Sequence, residues 1–487
     1  MKICVLPIDS RPCTYDFAKD LAGVAGLEVV MPPIGYMGHL LEPSDFTIIS
    51  QWLLANAVNC DGLVISIEQL IYGGLIASRQ SRLDLPAAQK RLEILSELKA
   101  AQPKLKIFAF NVLMRTTVST LNLESMAWWE AVGEYSKYSH LVRLDEANLE
   151  YRRIFQELEA KIPANVLAEF LSVRERNHEI NKKCIELVNQ EVIDFLPILQ
   201  EDCGEFGMHK AEQERLTELI DKYNLHQKVT LHNGTDEAGT ELLARAASGT
   251  SMPLKIKWLG RNTDFVALFE DRPFAVNLKS HLSTVNIHED EAADTVLFIY
   301  VPKSAQGDFC IISGEVPVSG YSQNEIDSFA KEIADASAQG KKCYLLDIAF
   351  ANGGDIELLR SLAKHLDIDK LHGYSAWNTA CNALGTILSQ IVLSGGENTI
   401  QNKSFTYSRI LDDVIYQGII RRRLNDALLE KGLDPWRITD TAAADELLQR
   451  EFKAAKPIID EIMPDCPLGF SASLRWPRTF EVEITIT

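Results

Sequence analysis

The chain has 487 residues, 46% of them apolar and 24% charged, and carries a net charge of −19. That length suits two or three domains, or one α/β barrel with extensions, and the acidic balance leaves no broad basic face for a nucleic-acid partner. No run approaches about 18 uninterrupted apolar residues, so no membrane span is expected.

The N-terminal "MKICVLPIDSRP" has an apolar run that ends at Asp9, too short for a secretion signal. The nine cysteines are scattered without a CxxC pair and read as reduced thiols of a soluble, cytoplasmic protein. After "KICVLPI" (2–8) comes a helical pattern near 14–25, and "GLVISI" (62–67) precedes "LPAAQKRLEILSELKAA" (85–101), with its amphipathic spacing. "LKIFAFNVLM" (105–114) is the next strand. Residues 145–192 read as helix and run into "DFLPILQ", which "KVTLHNG" follows. Further strands are expected at 254–260, 295–301, 342–350 and 371–377. Beyond residue 400 helices dominate (406–462), and "FSASLRW" and "TFEVEITIT" read as an antiparallel pair. Within that region Arg421-Arg422-Arg423 reads as a solvated helix face.

Near-continuous apolar strands separated by helices mark a parallel sheet covered on both faces. About eight such units predict a (β/α)8-like TIM barrel over residues 1–400, with a mostly helical extension over 401–487. An open doubly wound sheet is the rival, and the absence of GxGxxG after the first strand removes support for a dinucleotide fold.

In parallel α/β folds ligands bind where the strands end. The first strand delivers Asp9 and Arg11, the second Tyr72 and Arg79, and the third Asn111 and Arg115. Two strands end in adjacent acids, Glu201-Asp202 and Asp236-Glu237. Later ones deliver Asp347, Asn352, Trp377, Asn378 and Asn382, while Asn177, His178 and His209 come from helical segments. Taken singly, an Asp or Asn at such a place is often a helix cap. Asp9 and Arg11 could be a structural ion pair, Trp377 could be core, and Gly73-Gly74 and Gly353-Gly354 are expected as positive-φ turn residues. Capping, however, does not call for two acids in a row at two strand ends. Acids sharing a cleft raise each other's pKa, leaving one protonated and one ionised, which is the division of labour in glycoside hydrolysis. Amides, arginines and an indole around them suit a neutral carbohydrate.

The blocks "LPIDSRPCTYDF", "IYGGLIASR", "RNHEIN", "QEDCGEFGMHKAEQERL", "GTDEAGTELLARA", "AFANGGD", "AWNTACNALGT" and "RWPRTFEVEI" resemble the bacterial family known as domain of unknown function 4127. In that family's pattern the first acid pair is Asp-Asp, where this chain has Glu201-Asp202. "GTDEAG" is also similar to the Asp-Glu stretch of family 20 hexosaminidases. That resemblance implies Asp236 as the residue orienting a 2-acetamido group and Glu237 as general acid. "QED" and "WNTACNALG" resemble the O-GlcNAc hydrolase and hyaluronidase family. The expectation is a glycoside hydrolase with Asp236, Glu237, Glu201 and Asp202 as catalytic acids, the other residues named above as substrate ligands, and no cofactor or bound metal. The alternatives are a metal-dependent hydrolase or phosphoesterase, drawing on Asp9, Asp202, Asp236, Glu237, His178 and His209, or a non-catalytic carbohydrate-binding protein.

Overall fold

The computed structural model describes residues 1–80, 83–119, 123–260, 264–310, 316–464 and 469–487. The chain divides into two compact units. The first comprises Met1–Ser10, Leu27–Ala246 and Phe269–Arg272; the second comprises Arg11–Gly26, Ala247–Leu268 and Pro273–Thr487. The extension expected beyond residue 400 therefore shares a unit with residues on both sides of that boundary.

In the first unit, β1 (Lys2–Leu6), β2 (Glu28–Val30), β3 (Gly62–Ser66), β4 (Lys106–Leu113), β5 (Leu196–Gln200) and β6 (Val229–Asn233) form one sheet of order β2-β1-β3-β4-β5-β6. Every pairing is parallel. β1, β3 and β5 bury all or nearly all their residues, which accounts for their unbroken apolar runs. The chain goes from β1 outward to β2 and then returns to β3 on β1's other side, so the topological switch point lies between β1 and β3. The helix Ala164–Asn189 buries Val173, Ile180, Cys184 and Ile185 and delivers the chain to β5.

In the second unit, β7 (Met252–Leu259), β8 (Ile287–Glu289), β9 (Thr295–Tyr300), β11 (Lys342–Asp347) and β13 (Gly373–Ser375) form a second parallel sheet. Its order is β13-β11-β9-β7-β8. Counted within its own unit, this is again 2-1-3-4-5, the order of the first five strands of the other sheet. Two-residue strands β10 (Gly307–Asp308) and β12 (Phe350–Ala351) pair beside it, and β14 (Phe470–Ser473) and β15 (Glu483–Ile486) form the expected antiparallel ending. The helix Pro12–Val24 belongs here: Phe17 meets Phe405 edge-on at 5.5 Å, and the Arg409 guanidinium lies 3.8 Å from the Phe17 ring centre. A core of Phe298, Tyr300, Phe329, Leu345, Leu359 and Ile415 fills the unit.

The strand pairing thus shows two open sheets rather than one closed barrel. A buried parallel strand reads the same in both architectures, because helices cover both of its faces either way. What distinguishes them here are β2 and β8, strands of three residues with exposed positions, too short to carry a pattern. Among the described residues, no helix is long and apolar enough to cross a membrane.

Candidate functional site

β5 and β6 are neighbours, with Gln200 opposite Asn233, and the Gly234 N–H donates to the Gln200 carbonyl at 3.2 Å. Both acid pairs therefore stand at adjacent strand ends of the first unit. The first pair is matched by arginines. Glu201 is ion-paired with Arg79 and accepts from the Arg115 N–H at 3.2 Å; Asp202 is ion-paired with Arg115. Glu201 is buried, whereas the Asp202 side chain is 34% exposed. Each of these two acids thus has its own guanidinium partner, an arrangement unlike two carboxyls facing only each other. Arg79 and Arg115, expected to hold substrate, are occupied in this way.

The second pair is different. Glu237 is 1% exposed, and its Oε2 accepts from the Thr235 N–H at 2.8 Å. Burial first, then the Glu241 charge, then Asp236, push its carboxyl well above the usual range. Burial does the same to Glu241, which follows one helical turn later on Ala238–Ala247. The carboxyl of Glu237 folds back over Gly234, whose φ of 128° puts it in a region that favours glycine; a Cβ there would overlap Oε1. Among the described residues, Glu237 Oε1 has no hydrogen-bond partner. His232 is buried and offers a ligand atom within 4.8 Å of a Glu237 oxygen. Its Nδ1 lies 2.9 Å from the Asn233 carbonyl, an acceptor that requires N–H there. Sequence reasoning missed Glu241, although the i, i+4 spacing in "EAGTE" was legible.

A third group gathers beside β5. The segment Phe269–Arg272 returns to this unit, and its Phe269 carbonyl accepts from the Cys203 N–H at 3.0 Å. One ligand atom each of Cys203, His209 and Asp271 lie within 4.8 Å of one another. Burial pushes His209 down to about 4, against the pull of Asp271. Burial also opposes ionisation of Asp271, but His209, Arg272 and Lys210 together hold that carboxyl far below its usual value.

The remaining expected residues of this unit are placed as follows. Asp9 is buried just past β1, and a Cβ on Gly74 would come within 3.9 Å of its own Cβ. Glu68, missed in the sequence, lies past the end of β3, beside the switch point. Its Oε1 accepts from the Val112 N–H at 2.7 Å, and burial pushes it up to about 7. Asn111 lies inside β4 rather than at its end and spends its amide on Cys184 Sγ. Asn177 donates to the Ser78 carbonyl and accepts from Arg176, so its role is to tie the long helix to the chain after β3. Tyr72 is buried with the Arg176 guanidinium 4.4 Å from its ring centre. His178 is buried, and burial, then Arg215, push it down to about 4. Neither ring nitrogen of His178 finds a partner among the described residues.

Arg11, Asp347, Asn352, Trp377, Asn378 and Asn382 belong to the second unit. Asp347, at the end of β11, accepts from the Asp355 N–H at 2.6 Å and the Tyr374 hydroxyl at 3.0 Å. Burial, then Asp355, push it up to about 7. Asp355 in turn accepts from the Tyr300 hydroxyl at 3.0 Å. Asn352 and Asn378 both adopt left-handed backbone, φ 59° and 68°, and the Asn352 N–H donates to the Asn378 carbonyl at 2.8 Å. Trp377 is buried with its ring centre 5.2 Å from that of Phe480, which makes it core rather than a sugar platform. Asn382 is buried, its backbone N–H capped by Thr379. Arg11 lies 3.8 Å from Glu481. Gly73 and Gly74 have positive φ as expected, while Gly354 is required by close approach, since a Cβ there would overlap the Tyr374 hydroxyl. Arg421 is buried, donating to Gln417 at 2.6 Å, and so departs from the solvated face expected for the arginine run. It follows Ile410–Ile420, a π-helical stretch.

Two doubly wound α/β units, each with buried titratable groups at its strand ends, define the class of protein. Over residues 3–485 the chain matches the family described as protein of unknown function (DUF4127), and it belongs to that family. No curated protein matches it.

Proposed function

We propose that the protein is a hydrolase of glycosidic bonds whose proton donor is Glu237. The observation that carries this reading is a carboxyl pushed well above the usual range by burial and by Glu241, beside a strand end where two other carboxylates are each ion-paired with an arginine. Glycoside cleavage needs both kinds: an acid to protonate the leaving oxygen and a fixed negative charge to stabilise the developing cation. Oε1 of Glu237 is the donor atom, Asp236 orients the substrate, and Asp202, the more exposed member of the first pair, supplies the charge. The similarity of "GTDEAG" to the hexosaminidase stretch supports a 2-acetamido sugar.

Glu237→Gln keeps shape and hydrogen bonding but removes the proton. Turnover of glycosides with poor leaving groups should fall about 10²–10⁴-fold, with much smaller losses on aryl glycosides that need little protonation. Equal losses on both substrate types would take Glu237 out of the acid role.

A further inference from the structure

We propose that Cys203, His209 and Asp271 form a binding site for a divalent transition-metal ion of the zinc type. It is independent of the glycosidase reading and uses none of the acids assigned there. The three donors come from three separate segments: the chain after β5, the start of the helix His209–Tyr223, and the returning segment Phe269–Arg272. Nothing in local sequence spacing places them together, yet one ligand atom of each lies within 4.8 Å of the other two. Thiolate, imidazole and carboxylate are the ligand types zinc takes, at about 2.0–2.3 Å, so tetrahedral donors lie somewhat over 3 Å apart.

The second observation is His209 itself. It is 0% exposed, and its Nδ1 has no hydrogen-bond partner among the described residues, while its Nε2 is turned to the Asp271 carboxylate. A buried imidazole in a protein interior is ordinarily satisfied, and an unsatisfied one asks for an explanation. Its Nδ1 faces Gly207, where a Cβ would come within 2.7 Å, and its Nε2 faces Asp271 Oδ2 at 3.3 Å. The nitrogen nearer the carboxylate is therefore the one aimed at the shared point.

The surroundings supply the supporting contacts a metal site needs. Gln213 bridges Asp271 Oδ2, at 2.9 Å, to the Gln200 side chain, at 3.2 Å. Arg272 Nε donates to Asp271 Oδ1 at 3.0 Å, and Asn233 donates to Cys203 Sγ at 3.6 Å. The backbone bond from Cys203 to Phe269 fixes two ligand segments to each other. The competing group is Lys210, whose ammonium lies 2.6 Å from Asp271 Oδ2. It stands in for the cation: its side chain is 23% exposed on a flexible stem, so it can swing to solvent when a metal arrives.

The test uses the full chain, stripped with a chelator and titrated with zinc against a chromophoric competitor, then with cobalt followed by absorption. One equivalent should bind, and the cobalt form should show a thiolate-to-metal charge-transfer band. Cys203→Ser should abolish that band, and His209→Ala should weaken zinc binding about 10–100-fold or more. Lys210→Met should tighten it, because the competing cation is gone. Cys310→Ser, in the other unit, should change nothing. Absence of stoichiometric binding to the unmutated chain overturns the proposal, as does a charge-transfer band that survives Cys203→Ser. Weaker binding in Lys210→Met would show that the lysine supports the carboxylate rather than substituting for the ion, and would equally overturn it.

Discussion

Gly234→Ala tests the geometry that sets the protonation of Glu237. Two separate costs follow from the structure. The first is backbone: at φ 128° an L-residue is strained, by about 1–3 kcal/mol. The second is steric. The new Cβ would lie on Glu237 Oε1 and 2.8 Å from its Cδ, so the carboxyl must leave its place. It then gives up the Thr235 N–H, and an unpaired buried donor costs about 1–3 kcal/mol. The single substitution should therefore destabilise by about 2–6 kcal/mol. Glu237→Ala removes the same hydrogen bond without touching the backbone. In the double variant that loss is counted once, so the combination should fall short of the sum by about 1–3 kcal/mol. The assay is urea unfolding of the four proteins, followed by circular dichroism and tryptophan fluorescence, with the transitions of the two units fitted separately. Additivity within about 0.5 kcal/mol would refute the fold-back of the carboxyl over Gly234.

Burial and Asp355 push the folded Asp347 carboxyl up to about 7 from an ordinary 3.8, so its stabilising contribution is full below about pH 4 and is lost as the pH rises through 7. Between pH 5 and pH 7 it should account for about 2 kcal/mol of declining stability, and Asp347→Asn should flatten the curve by about one proton; an unchanged slope in urea titrations would refute this. Arg79→Ala leaves the Glu201 carboxylate buried without its partner and should cost about 3–5 kcal/mol, with Arg79→Ala/Glu201→Gln recovering part of it; equal losses in thermal unfolding for the single and double variants would refute the pairing.

The strands and their buried character were legible because apolar runs bounded by helices have few other readings, and each long strand is found close to where the pattern puts it. The sheet order was not, since it depends on β2 and β8, which bury little and have no periodicity to show. Without them, two sheets in succession read as one series of units closing on itself. The site divides along the same line between local and distant information. Adjacent acids at two strand ends are a local pattern, and both pairs stand at the ends of neighbouring strands. What each pair does electrostatically is decided elsewhere. Glu201 meets an arginine 122 positions away and Asp202 one 87 positions away, and no spacing rule connects them. Glu237 instead meets Glu241, a local fact that the four-residue spacing exposes. Trp377 has the same explanation: its aromatic partner is Phe480, far along the chain, so a residue suited to stacking on a sugar is used in the core. One motif, two acids after a strand, is therefore met by arginines in one place and by burial and a further carboxyl in the next. The neighbouring charge, not the acids themselves, sets the electrostatics of each strand end, and a sequence reading of such sites becomes reliable only where that neighbour lies within a helical turn.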